Sequence, residues 1–200
     1  MRTKRNVLAA AAVLAAVAAV AAMPALAQAP KPVRLSGAIG TVDGRTVTAT
    51  SEKGAALTIK LTDKAVVVRA VKASLADIKP GDFIGSGAMP QPDGTQRAVE
   101  VHIFPEAMRG TGEGFRPWIH PGSTMTNGTV GEIVTGVSGQ VITVKYKGGE
   151  QKIVVPPGTP IVKFEIAGLS ALTPGAHFSV IAAIAQPDGS YEASRVTVGP

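Results

Sequence analysis

Residues 56–61 read Ala-Leu-Thr-Ile-Lys-Leu, an apolar/polar alternation that puts Leu57, Ile59 and Leu61 on one face of a strand. Further strand segments are predicted at 35–42, 46–50, 66–68, 82–88 and 96–104, with turn residues between the runs. Asp43-Gly44 is a hairpin turn, because both residue types tolerate positive φ. Pro92-Asp93-Gly94 is a second turn, in which Pro presets φ and Gly supplies the left-handed residue. Ser74 is placed to cap a short helical turn through Ile78, and Pro80-Gly81 stops it. The predicted order is three strands, a helical turn and two strands.

That order is written twice. Gln91-Pro92-Asp93-Gly94 recurs as Gln186-Pro187-Asp188-Gly189, and the same offset of 95 relates Gly44 to Gly139, Phe83 to Phe178, Ala98 to Ala193, Val101 to Val196 and Pro105 to Pro200. Gly37 and Gly128 match at an offset of 91, and the prolines of the Pro80-Gly81 and Pro174-Gly175 elements at 94. Five strands with a helical insertion after the third is the order of an OB-type barrel, and about 70 residues suffice for one. A small sandwich or another small barrel is the alternative. The expectation is an all-β chain of two tandem five-stranded OB-like barrels related by internal duplication, following an N-terminal signal helix. Its segments are a signal peptide at 1–27, a first module at 28–105, a bridge at 106–126 and a second module at 127–200. A domain of 70 residues buries only about 60% of its unfolded surface, so the modules are expected to pack on each other or on the bridge. Phe83 and Phe178, at matched positions, are expected core anchors.

The pattern carried by Gly37, Ile39, Val42, Gly44, Val47, Thr48, Leu75, Ile78, Pro80, Gly81, Asp93 and Gly94, and again in the second half, resembles a broad group of uncharacterised tandem-repeat β-modules in exported bacterial proteins. These are turn and core positions, so the resemblance implies an OB-like fold and little chemistry. Relatives that share the Phe104–Gly110 stretch are sometimes labelled in bulk as metal-transport permeases. A permease would need several apolar spans, and this chain has one long apolar segment.

That segment, 7–23, is a run of 17 apolar residues behind Arg2, Lys4 and Arg5 and ahead of Ala25-Leu26-Ala27, the layout of a secretory signal cleaved after Ala27. The competing reading is an uncleaved anchor, disfavoured because the run is Ala-rich and short for a span. The expected location is the bacterial periplasm or cell surface, with no membrane span after cleavage. There is no Cys, so disulfides, thiolate metal sites and a lipidated cysteine are excluded.

Removal of Arg2, Lys4 and Arg5 from the 20 basic residues leaves 17 against 14 acidic ones, a formal charge of +3. No two basic residues are adjacent in 28–200, which argues against nucleic acid or another polyanion as partner. A catalytic motif is also missing: neither G-x-S-x-G nor H-E-x-x-H occurs, and Gly110-Thr111-Gly112-Glu113-Gly114 lacks the Lys-Ser/Thr ending of a phosphate loop. The expectation is a chain that is not an enzyme and needs no cofactor.

The bridge 106–126 stands outside the repeat and holds the sole Trp of the chain. Connections this long are usually functional or disordered, and Phe115 and Trp118 argue against disorder. Trp118 and Phe115 either glue the modules together or, with Arg109 and Arg116, meet a protein or glycan of the cell envelope. A second reading is copper. His102, Met108, His120 and Met125 lie within 24 residues and offer imidazole and thioether ligands soft enough for Cu(I), although their spacing matches no defined motif. Unpaired strand edges also leave assembly into oligomers open.

Overall fold

Every predicted strand segment lies on a strand in the computed structural model, which describes residues 30–137 and 139–199. The expected signal segment 1–27 lies outside the described residues. The strands are β1 Val33–Asp43, β2 Thr46–Ser51, β3 Ala56–Ala73, β4 Phe83–Pro90, β5 Gln96–Phe104, β6 Gly114–Pro117, β7 Thr124–Gly136, β8 Gly139–Tyr146, β9 Gly149–Val155, β10 Ile161–Ala167, β11 His177–Ala185 and β12 Tyr191–Val198. Among the described residues the helical content is three 3₁₀ turns, at Leu75–Asp77, Glu106–Met108 and Leu169–Ala171. The first is pinned where the sequence expects it: Ser74 donates from both its backbone N and its Oγ to Asp77 Oδ2, each at 2.7 Å. The fold is all-β.

β1, β2, β3, β12 and β11 close a five-strand barrel, sealed by seven parallel pairs from Tyr191↔Ile59 to Val198↔Arg69. The other strands follow the path β5-β4-β7-β8-β9, which returns on itself where β5 meets β9 at Gln96↔Ile153 and Arg97↔Val154. β6 adds to the outside of β7. Strand pairing therefore departs from the expected arrangement of one barrel per sequence half: β1–β3 close with β11–β12, and β4–β5 join β7–β9.

The exchange is reciprocal down to single hydrogen bonds. Gly81 N donates to Val130 O at 2.8 Å, and Gly175 N, its repeat equivalent, donates to Ile39 O at 2.8 Å. Its cause is local. No Gly or Pro interrupts 55–79, so β3 runs for 18 residues, about 60 Å at ~3.3 Å per residue, too long for one small barrel. The far half of β3, Val67–Ala73, pairs antiparallel with β10, Ile161–Ala167. These two strands lie side by side and carry each half of the chain into the other ring.

Two cores result. Ile39, Val47 and Ile59 pack with Phe178, Val180 and Val196, while Ile84, Val101 and Ile103 pack with Val130, Ile142 and Ile153. Phe83 and Phe178 are both buried.

Candidate functional site: a cleft between the rings

Alternation along β5 buries Val101 and Ile103 and turns Glu100, His102 and Phe104 outward. On β11 and β12 it buries Val180 and Val196 and leaves Ser179, Ile181, Arg195 and Thr197 on the outer face. β10, hydrogen-bonded to both β3 and β5, holds these outer faces toward each other and adds Phe164. The segment after β5 then folds back: the turn Glu106–Met108 and β6 cover the gap, and the ladder β6–β7 fixes them. The result is a cleft of about 320 Å³, whose walls include His102, Phe104, Met125, Phe164, Arg116 and Arg195.

One wall is aromatic. Phe104 meets Phe83 at 5.5 Å and Phe164 at 5.3 Å, both edge-on, and Phe164 lies 5.0 Å from the His102 ring. Such pairs add about 0.5–1.5 kcal/mol each to their area burial, so the wall is stiff. A neighbouring cavity of about 280 Å³ shares His102, Trp118 and Phe164 and adds Arg34 and Glu100. There Trp118 donates Nε1–H to Glu100 Oε1 at 3.3 Å, His102 Nε2 lies 3.6 Å from Glu100 Oε2, and the Arg34 guanidinium sits 4.7 Å over the Trp118 ring. His102 above all, with Trp118 and Arg34, holds the Glu100 carboxyl below the usual carboxylate range against the opposing effect of burial. Burial lowers the Arg34 pKa, and the Glu100 charge partly offsets this.

The larger cleft has no such balance. Arg116 donates Nη1–H to Gly112 O at 2.6 Å and lies 6.0 Å from the Trp118 ring. Arg195 has a buried Nε that finds no hydrogen-bond partner among the described residues, and an unmet donor of this kind costs about 1–3 kcal/mol. Burial lowers the pKa of both arginines. Among the described residues neither is ion-paired with a carboxylate, and no Asp or Glu lines this cleft.

Of the residues singled out from sequence, His102, Met108, Met125, Arg116 and Trp118 are brought to this one cleft. Met108 and Met125 are buried. His120 stands in the loop 118–123, exposed, with its backbone N–H donating to Ser123 Oγ at 3.1 Å. Phe115 is on β6 and 41% exposed. Arg109 is tied into the scaffold: it grips Glu106 with two bonds of 2.6 Å and donates to Gly81 O at 3.0 Å and Thr129 Oγ1 at 3.2 Å. Among the described residues no group of three or more His, Asp or Glu is placed to hold a metal ion.

No family model, curated protein or solved structure matches the chain.

Arg34, Phe164 and Arg195 escaped the sequence reading, because none lies in the bridge. A signal for Arg195 was present in the repeat. Its equivalent at the offset of 95 is Glu100, so the outward positions of β5 and β12 are matched, and they meet across the cleft.

Proposed function

We propose that this protein is an exported, non-enzymatic binding module of the bacterial envelope, from the group of tandem OB-like β-modules, with the bridge as its contact surface for an envelope protein or glycan. The observation that supports it is the exposure of Phe115 (41%) and Ile119 (48%) on the bridge. They flank Trp118, whose ring is held by Arg34 and Arg116. Apolar side chains left in water on a rigid scaffold suit recognition. The test is capture from envelope extract by the purified protein and by a Phe115→Ser/Ile119→Ser variant of unchanged thermal stability. A partner held by the wild type and lost by the variant supports this reading, and equal capture overturns it.

Copper handling is the second reading, favoured by the convergence of His102, Met108 and Met125 on one cleft. Arg116 and Arg195 in the same cleft weigh against it, because their charge opposes a cation in a partly dehydrated space. A rise in melting temperature with Cu(I), abolished by Met125→Ala, would establish the metal. No rise removes it.

A further inference from the structure

We infer that the cleft between the two rings binds a small organic acid, its carboxylate against Arg116 and Arg195 and its apolar body against Phe104, Phe164 and Met125. This goes beyond the surface reading and concerns the space beneath the bridge. The charge argument comes first. Among the described residues two arginines and no carboxylate line the cleft, and Glu100 is engaged with Trp118 and His102 in the neighbouring cavity, so the two guanidinium charges face a partly buried space, where they are weakly screened. Arg195 lines the cleft, and among the described residues its buried Nε has no partner; a guanidinium binds a carboxylate through two parallel N–H···O bonds, so a turn of this side chain toward the cleft supplies Nε and a terminal nitrogen as that pair.

The lining selects the rest of the ligand. Besides the arginines and His102, three aromatic and two thioether side chains line the cleft together with five hydroxyl or amide side chains, and the surface they present is mostly apolar, which suits a ligand with an apolar body. Size sets the limit. A cavity of about 150 Å³ accommodates a benzene ring, so about 320 Å³ leaves room for a ring with a short acid-bearing chain. The stiff wall of Phe83, Phe104 and Phe164 means that little has to be ordered on binding, which favours affinity for so small a molecule.

Trp118 is the only Trp of the chain and lines the cleft, so its fluorescence reports occupancy directly. The purified protein is titrated with 4-phenylbutanoate, its neutral amide and 4-phenylbutylamine. The expected result is a saturable change in emission with the acid, half-complete below about 1 mM, and none with the amide or the amine. Arg195→Gln and Arg116→Gln are each expected to weaken the acid at least about tenfold, the loss of one charge-assisted contact. If circular dichroism shows that either variant is unfolded, Arg195→Lys replaces it: charge is kept, the Nε donor is lost, and weakening is still expected. The Phe115→Ser/Ile119→Ser variant keeps full affinity for the acid, which separates this site from the outer face of the bridge. Absence of a saturable response, equal binding of acid and amide, or unchanged affinity in the arginine variants overturns the assignment.

Discussion

Gly37 and Gly128 occupy equivalent places in the two halves, and in each a neighbouring carbonyl stands where a side chain would begin. A Cβ on Gly37 would collide with the Thr50 carbonyl oxygen, and one on Gly128 with the Lys145 carbonyl oxygen and, at 2.9 Å, with Val144 Cγ1. Backbone cannot step aside as a long side chain can, so Gly128→Ala is expected to lower unfolding free energy by about 3 kcal/mol in urea denaturation. Gly94→Ala, at φ +84° where an added Cβ meets no described atom within 4 Å, faces left-handed strain alone and should lose about 1–2 kcal/mol. A larger loss at Gly94 than at Gly128 would show that the close approach is not what selects glycine. Glu100 gives a prediction in pH. Its folded pKa is held below its unfolded value of about 4.3, so the stabilisation from this carboxylate is complete above that pH and is lost as pH falls through the folded pKa. Trp118 donates to Glu100, so its emission should shift on that acid limb. In Glu100→Gln the shift should vanish; its persistence would place the titrating group elsewhere.

The two rings differ most in how their strands close. β3 and β12 seal the first through seven residue pairs, whereas β5 and β9 meet in two. A short seam leaves fewer ladder bonds to break before the amides beside it reach water, so local opening should start there. Hydrogen exchange is expected to label 96–97 and 153–154 before 59–61 and 191–193. The reverse order would mean that the packing around Ile153 outweighs the seam. The unequal strands have a readable origin. In the second half Pro156, Pro157 and Pro160 split what is a single strand in the first, giving β9 and β10 in place of an unbroken β3.

Reciprocal exchange means that neither half of the chain contains a complete ring. The segment 28–105 brings β1–β3 and β4–β5, which belong to different rings, and 127–200 brings the complementary sets. With the bridge kept on the second half, 28–105 or 106–200 expressed alone is expected to be unfolded or to pair with a second copy, whereas the two together should recover a one-to-one complex with the melting behaviour of the whole protein. A stable, folded monomer from one half would contradict the exchanged pairing. The cleft depends on the same exchange: Arg195 and His102 line it from β12 and β5, strands of different rings.

Much of this was legible along the chain. Strand positions, the turns at Gly44 and Gly94, the buried faces and the Ser74–Asp77 turn follow from alternation, capping and glycine chemistry, which act between residues close in sequence. Trp118, Arg116, Met108 and Met125 were legible as members of the one segment outside the repeat, and the structure brings them to one cleft. Ring membership was not, since the run Phe83–Ala88 of β4 is buried throughout and reads the same whichever set of strands it closes. Only tertiary packing sent β3 past its own ring, and that step set the outer faces of β5 and β12 against each other. Arg195 thereby came to line a cleft and is not one more solvated charge, and no local pattern could record that, because the residues that line this cleft come from 102 to 197 in the chain.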